Sequence, residues 1–431
     1  MPMRVYVKSF GCSSSIADGQ VIAGCLARAG HEIVGEISES QLVIINTCAV
    51  KGPTEDRMIR TLKEVPRTKR LIVAGCLPAI NGERLGREVC FDGMVGPAAG
   101  EAIVKVVRRV AQGQRFVSSM KSQGTLPNLA LPCLRSNSVT SIIPISYGCL
   151  GSCAYCCVKQ ARGSLRSYSI EEILNRAQKD IESGFKEFWL TSQDVGSYGK
   201  DIHADLAVLM RALCGLEATF KIRVGMMTPD GAASILDGLL DAFQNEHIFK
   251  FIHLPVQSGD SEVLRRMNRL YSSEDFRKMI QAFRARIPDI TLSTDVICGF
   301  PGETEEAFER TLSLIEEVRP DIVNVSKFFA RPGTPAAEMN RERVPSSEIK
   351  VRSERAAHLA GKMSLAGNAR WLGWIGQILV DELGKVAGSW IGRNLAYKPI
   401  VIQSESDLMG KALKVKIADV FPTYLRAEII D

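Results

Sequence analysis

Cys149, Cys153 and Cys156 stand at C-x3-C-x2-C spacing on one glycine-punctuated loop, Gly148-Cys149-Leu150-Gly151-Ser152-Cys153-Ala154-Tyr155-Cys156, directly after the apolar run Ile142 to Ile145. Thiols so spaced can wrap a single iron-sulfur cluster. A 4Fe-4S cluster takes four thiolates, so three from one loop leave one iron open to a ligand that is not protein, and chemistry can start there. The alternative is zinc or a group of buried cysteines, although zinc ribbons use paired C-x2-C knuckles and no second knuckle stands nearby. Cys157 follows Cys156 immediately, so its side chain is expected to point elsewhere, as a spare thiol and not a fourth ligand.

A second set of thiols emerges from the elements that would carry them. From Met3 to about Gly113, the buried-strand runs Val5 to Val7, Leu42 to Ile45 and Leu71 to Val73 alternate with amphipathic stretches near Ile16 to Ala29 and Thr54 to Val65. This βαβ pattern predicts parallel strands, which end on the same side of their sheet. Cys12, Cys48 and Cys76 each fall just after one of these strands. In such sheets ligands bind in the crevice outside the carboxyl ends of the strands, so the three are expected to converge there as a second three-thiolate site. Any one of them alone reads as a small buried hydrophobe, the usual fate of cysteine. Cys25, Cys90, Cys133 and Cys214 have no such correspondence and are read as packing residues.

Gly113 to about Thr140, rich in Gln, Ser, Asn, Gly and Pro, reads as a linker. Strand-helix alternation then resumes, with strands expected at Ile142 to Ile145, Glu187 to Leu190, Lys221 to Gly225, Phe251 to Pro255, Thr291 to Ile297 and Ile322 to Phe328: a partial α/β barrel. Ser169-Ile170-Glu171-Glu172 matches a capping box that starts its first helix. On such a barrel the ligand sits at the carboxyl-terminal face. The polar tails Thr191-Ser192-Gln193-Asp194, Gln257-Ser258-Gly259 and Cys298-Gly299-Phe300-Pro301-Gly302-Glu303 are the candidates to form that site. The last of these opens onto the helix-like stretch Thr304 to Ile315, whose amides suit a carboxylate, or is an ordinary glycine turn. From about Asn368, five short strands read as a small antiparallel barrel: Trp374 to Leu383, Lys385 to Ile391, Pro399 to Gln403, Leu413 to Val420 and Leu425 to Ile430. The fold class is therefore α/β, divided as 1–113, a linker at 114–140, 141–367 and an all-β module at 368–431.

Twelve cysteines without a charged-then-apolar leader argue for a reducing compartment and against a secreted disulfide framework. No window approaches the length of a membrane span, so a cytoplasmic protein is expected. The net charge of +6 is unevenly spread: between Ala102 and Ile170 there is no Asp or Glu, whereas Lys105, Arg108, Arg109, Arg115, Lys121, Arg135, Lys159, Arg162 and Arg166 all lie there. Such a stretch is either a surface for a polyanion such as RNA or a solvated face with counter-charges for an anionic cluster. From Asn368 onward eight cations face seven carboxylates, so the terminal module is not strongly basic. Trp371, Trp374 and Trp390 there read as barrel core before base-stacking residues.

These features together resemble the radical S-adenosylmethionine (SAM) methylthiotransferases, over nearly the whole length. The resemblance implies an N-terminal domain with an auxiliary 4Fe-4S cluster on Cys12, Cys48 and Cys76. It further implies a central partial (β/α)6 radical SAM barrel whose cluster is held by Cys149, Cys153 and Cys156, with SAM on the open iron, and a C-terminal TRAM domain that binds substrate. Gly148 to Tyr168, Ile297 to Thr304 and Gly392-Arg393-Asn394-Leu395-Ala396-Tyr397-Lys398-Pro399 resemble the archaeal and eukaryotic branch, which acts on N6-threonylcarbamoyladenosine beside the tRNA anticodon. The implied SAM contacts are Tyr155, Gln193, Asp194, Arg223, Gln257, Gly299, Phe300, Pro301 and Gly302. Ser15 stands where the family usually has Asn, and Ser152 replaces an Asn common inside the loop; neither change removes a ligand.

The implied mechanism uses SAM twice, once to methylate a sulfur carried on the auxiliary cluster and once to form the 5′-deoxyadenosyl radical that takes hydrogen from C2 of the adenine. An unactivated aromatic C–H offers no acidic proton, which is why radical chemistry is needed. The expected partners are a tRNA anticodon stem-loop, an electron donor protein and a sulfur donor, with no membrane. Two other readings are a methylthiotransferase acting on another modified adenosine or a ribosomal protein, and a non-enzymatic iron-sulfur RNA-binding protein.

Overall fold

The computed structural model describes residues 2–50, 52–120, 126–135 and 137–430. Positions 121–125 and 136 of the expected linker, and with them Lys121 of the basic stretch, lie outside the described residues. The chain divides into two compact units: Met1–Ser136 with Ile142–Tyr168 and Phe329–Ala337, and Asn137–Ser141 with Ser169–Phe328 and Glu338–Asp431.

In the first unit the elements run β1 (Arg4–Ser9), α1 (Ser13–Arg28), β2 (Glu32–Val34), β3 (Leu42–Thr47), α2 (Gly52–Lys63), β4 (Arg70–Gly75), α3 (Cys76–Glu88), β5 (Gly93–Val95), α4 (Ala102–Ala111) and β6 (Val117–Ser119). They form one parallel sheet in the order β2-β1-β3-β4-β5-β6. All of β3 is buried, as a strand covered on both faces requires. Its alternate residues serve two cores: Val43 and Ile45 pack with Met58, Ile59 and Leu62 of α2, whereas Leu42 and Ile44 pack with Ile22 and Leu26 of α1 and Val106 and Val110 of α4. The sequence reading found the central β1, β3 and β4. It missed β2, β5 and β6, each three residues long and too short to show a period. Val117–Ser119 corrects the expected linker, since it is the sheet's edge strand.

The cysteine loop clusters with this unit. A short helix, α5 (Val158–Arg162), follows the loop, and Cys157 and Ala161 are buried in the same core as β3, β4, α2 and α3. Phe329–Ala337 joins them through Ala336 N–H donating to Ala154 O at 2.9 Å and Gln160 Nε2 donating to Gly333 O at 2.8 Å. One packing expectation fails: Cys90 is exposed.

The second unit contains strands Glu187–Thr191, Lys221–Val224, Phe251–His253, Thr291–Cys298 and Ile322–Lys327, within one residue of expectation at most ends. They lie in two three-stranded sheets, the first completed by Thr140–Pro144, whose first two residues belong here. Parallel bridges Ile222↔Ile248 and Met226↔His253 join the sheets into the partial barrel. The Ser169/Glu172 capping box is present in full at helix Ile170–Glu182. A 24-residue helix, Ser346–Ala369, was not anticipated; it runs beside Ile322–Lys327, with Ser364 Oγ donating to Asp321 O at 2.7 Å.

Five strands then close a barrel: Ile375–Leu383, Ser389–Arg393, Pro399–Gln403, Ala412–Val420 and Leu425–Ile429. It is not wholly antiparallel as expected, because closure brings Pro399–Gln403 beside Leu425–Ile429 in parallel. Trp371 is buried in its core, with Trp374 and Trp390 packed against it. Among the described residues no helix is long and apolar enough to cross a membrane.

Candidate metal and cofactor centre

The neighbouring strands β1, β3 and β4 end in register, Ser9 opposite Asn46 and Thr47 opposite Gly75. The chain leaves each at a cysteine. Thr47 Oγ1 donates to Ala74 O at 2.6 Å and Asn46 Nδ2 to Ser15 O at 2.5 Å, tying the ends together. Glycine is required beside two of the thiols. Gly11 has φ +111°, and a Cβ there would come within 2.7 Å of Cys48 Cβ; Gly75 has φ +92°, and a Cβ would meet Thr47 O at 2.4 Å. Cys12, Cys48 and Cys76 interact electrostatically. Burial pushes the Cys76 thiol up to about 11 and raises Cys48, so charge on these sulfurs needs a cation.

Gly148 (φ +78°) turns the chain into the second thiol loop, where a Cβ would lie 2.0 Å from Ser164 O. Cys149 N–H donates to Gly163 O at 3.2 Å and Cys156 N–H to Cys153 O at 3.1 Å, which folds the loop on itself. A Cβ on Gly151 would sit 3.4 Å from Cys149 Sγ and 3.7 Å from Cys153 Sγ, so the missing side chain leaves a cradle between two thiols. Burial raises Cys156 to about 12, with Cys153, Cys157 and Cys149 adding to it. Cys157 turns away as expected: it is 1 % exposed and in hydrogen-bond contact with Arg331. Among the described residues no three His, Cys, Asp or Glu side chains close on a single metal ion. Soft thiol donors in threes, with the cradle at Gly151 between two of them, fit an iron-sulfur cluster.

Sequence reasoning missed the ionic groups behind these loops. Arg162 of α5, one of the cations of the acid-free stretch, is 4 % exposed; its Nη2 donates to Asp18 Oδ2 at 2.8 Å, and Tyr147 Oη donates to Asp18 Oδ1 at 2.8 Å. Beside Cys157, buried Glu55 accepts from Arg331, from Arg84 at 2.9 Å and from Asn81 at 2.8 Å. The signal was present: Asp18 stands between Ala17 and Gly19 on the buried side of α1, where a carboxylate needs a partner.

The expected SAM contacts separate by unit. Half-buried Tyr155 lies in the first unit, and the rest lie at strand ends of the second. Asp194 is not an open carboxylate. It accepts from Gly196 N–H at 3.1 Å, Ser197 Oγ at 2.6 Å, and Thr228 N–H at 2.9 Å and Oγ1 at 2.8 Å, and so braces the turn after Glu187–Thr191. Half-buried Gln193 precedes it. Arg223 is flanked by the rings of Trp189, Phe251 and Tyr397 at 5.2 to 5.5 Å. Gln257 takes a left-handed φ of +71° and bridges to Val296. In the turn after Thr291–Cys298, Gly299 and Gly302 have φ of +79° and +82°, and Arg266 covers Gly302. The Phe300 ring is buried edge-on against Phe328, and Pro301 is buried beside it.

Models of three families match the chain: Uncharacterized protein family UPF0004 at residues 4–96, the Radical SAM superfamily at 143–315 and the TRAM domain at 373–430. A protein of Pyrococcus horikoshii named "Probable threonylcarbamoyladenosine tRNA methylthiotransferase" is 39% identical over 430 residues, 99% of this chain and all of the relative. The "Threonylcarbamoyladenosine tRNA methylthiotransferase" of Drosophila pseudoobscura pseudoobscura is 35% identical over 99% of this chain and 77% of its own length. The chain belongs to the threonylcarbamoyladenosine tRNA methylthiotransferase family. Like others of the radical SAM fold, this family member is similar to the solved radical S-adenosylmethionine methyltransferase TsrM of Kitasatospora setae, at TM-score 0.57 and 13% identity over 78% of this chain and 74% of that one.

The methylthiotransferase's branch-like phrase Gly392 to Pro399 is consumed inside the second unit. Arg393 pairs with Asp381 at 3.2 Å, Tyr397 Oη donates to Glu187 Oε1 at 3.1 Å, and Lys398 Nζ donates to Asp321 Oδ1 at 2.7 Å. Leu395, 40 % exposed, is the large apolar side chain it leaves outside.

Proposed function

We propose that this chain adds a methylthio group to C2 of N6-threonylcarbamoyladenosine beside the anticodon of tRNA. The observation that carries this reading is the presence in one compact unit of two separate cysteine trios, Cys12/Cys48/Cys76 and Cys149/Cys153/Cys156, each with a glycine, Gly11 or Gly151, whose Cβ would contact its thiols. Each trio would hold one 4Fe-4S cluster, with an iron left open for a sulfur species at the first and for SAM at the second. When bound, these cofactors supply one-electron chemistry able to replace an unactivated aromatic C–H.

The chain's own residues do the rest. The buried thiols become thiolates only on ligation, so loading releases protons. Within the second unit, the Cys298–Glu303 turn and the tail after Glu187–Thr191 would offer SAM backbone groups and the Gln193 side chain. Three modules follow from this assignment: an auxiliary-cluster domain at 1–113, a radical SAM domain at 141–367 and a TRAM domain at 368–431 that contacts the tRNA. An electron donor protein and a sulfur donor complete the reaction, in the cytoplasm.

The test is mass spectrometry of nucleosides from tRNA incubated anaerobically with reconstituted protein, SAM, sulfide and a reductant. A methylthio gain on threonylcarbamoyladenosine is the expected result. A gain on another adenosine overturns the substrate assignment, and unchanged tRNA despite 5′-deoxyadenosine release sends the reading to a protein target.

A further inference from the structure

Arg162 carries a buried donor that the protein leaves unused. Its guanidinium is 4 % exposed, Nη2 is committed to Asp18, and Nη1 is buried without a hydrogen-bond partner. The carboxylate of Asp18 is itself fixed on its other oxygen by Tyr147, whose ring lies 5.7 Å from the guanidinium carbon. A guanidinium gripped from two sides has little rotational freedom, so Nη1 has a fixed direction. Its electrostatic neighbours include Cys76 and Cys12, and Cys48 in turn senses Arg162. An orphaned buried charge-assisted donor costs stability unless an anion meets it, because the guanidinium has given up water without a partner in return.

We infer that Arg162 is a positioning residue for the Cys12/Cys48/Cys76 site, its Nη1 holding an anionic sulfur, a hydrosulfide or alkylthiolate, delivered to that site. The inference rests on the cluster assignment proposed above. It gives α5 a task in the neighbouring site: the helix starts two residues after Cys156, and its last residue, Arg162, has the strand-end thiols Cys76 and Cys12 among its electrostatic neighbours. It also explains why a cation in the acid-free stretch is sequestered from solvent.

The test uses full-length protein with Cys149, Cys153 and Cys156 replaced by Ala, reconstituted so that iron can sit only on the strand-end thiols. Sodium sulfide and sodium methanethiolate are titrated separately while the paramagnetic resonance spectrum of the reduced cluster is followed. Arg162→Gln is expected to weaken sulfur-anion binding by about tenfold or more, the equivalent of one charge-assisted hydrogen bond, and Arg162→Lys to recover part of it. Loss for sulfide alone assigns hydrosulfide, and loss for both assigns the thiolate as well. Because Arg162→Gln strands the Asp18 carboxylate, Asp18→Asn/Arg162→Gln is measured alongside, removing both charges together. Unchanged affinity in the iron-loaded variants overturns the inference. Loss of iron from single and double variants alike makes Arg162 a structural strut and overturns it too. Absence of a cluster in the parent protein, by contrast, defeats the cluster assignment itself.

Discussion

Gly299 N–H donates to the Glu303 carboxylate at 2.9 Å, closing the glycine turn after strand Thr291–Cys298, and Arg352 Nη1 meets the same oxygen at 3.0 Å. The pair is buried, at 1% and 5% side-chain exposure, and Arg352 also donates to the Glu303 carbonyl at 2.9 Å. Burial raises the Glu303 carboxyl while the amide and Arg352 pull it back. Glu303→Ala leaves a buried guanidinium facing a turn with no anchor, an expected loss of about 3 kcal/mol, the lower end for broken buried pairs because Glu305 lies 3.1 Å away and takes part of the charge. Glu303→Gln keeps an acceptor for Gly299 and should cost less. Urea denaturation gives the stabilities, and SAM affinity should fall more in the Ala variant.

Two glycine substitutions should separate the cysteine trios. Gly151→Ala places a methyl between Cys149 and Cys153 at ordinary contact distance and without a left-handed backbone, so the apoprotein should be as stable as its parent while iron retention on the loop falls. Gly11→Ala puts a Cβ 2.7 Å from Cys48 Cβ at φ +111°, so it should lose about 1–3 kcal/mol of stability and fail to load the strand-end trio. Iron content, expected near half of the parent in each, together with thermal denaturation, checks both. Equal iron in Gly151→Ala and its parent would sink the first.

The cysteines were legible because each follows a short apolar run, and the same run-then-cysteine arrangement recurs at three equivalent strand ends. Asp18, Arg162 and Glu55 were not. Asp18 and Arg162 are 144 positions apart, and nothing near Arg162 tells a buried counter-ion from a surface cation. Gly392 to Pro399 was read as a family phrase. Its physical use was hidden, because Asp321, Asp381 and Glu187 reach it only through tertiary packing. The bracing role of Asp194 was hidden for the same reason, since its four donors come together only in the folded turn.

The buried acids Glu187 and Asp381 should make stability fall with rising pH. Burial first, then the Asp381 charge, pushes the Glu187 carboxyl up to about 8, against the donors Trp189 and Tyr397; burial raises Asp381 as well. A carboxyl whose pKa is higher folded than unfolded binds more protons in the folded state. Its contribution is therefore full below the ordinary carboxylate range and lost as pH rises through about 8. Glu187→Gln keeps an acceptor for Trp189 and Tyr397 and should flatten the melting temperature profile between about pH 5 and pH 8, with Asp381 leaving a residual slope. A mutant profile parallel to the parent's would show that Glu187 does not titrate there.

If the terminal barrel contacts the tRNA backbone, its outward lysines should set the salt dependence. Along strand Ala412–Val420, Val415 and Ile417 are buried while Lys414 and Lys416 are exposed, so both ammonium groups share the outer face. Lys416 stands opposite Glu428, whereas Lys414 stands opposite Gln377, which brings no opposing charge. Arg393 and Arg426 are already paired with carboxylates. Lys414→Ala should therefore weaken tRNA binding several-fold and reduce the slope of log affinity against log salt by about one, and Lys416→Ala by less. Filter binding across a salt series reads both numbers. Identical slopes for Lys414→Ala and the parent would remove this strand from the RNA surface and leave the phosphate contacts to Lys105, Arg108 and Arg115 of the acid-free stretch.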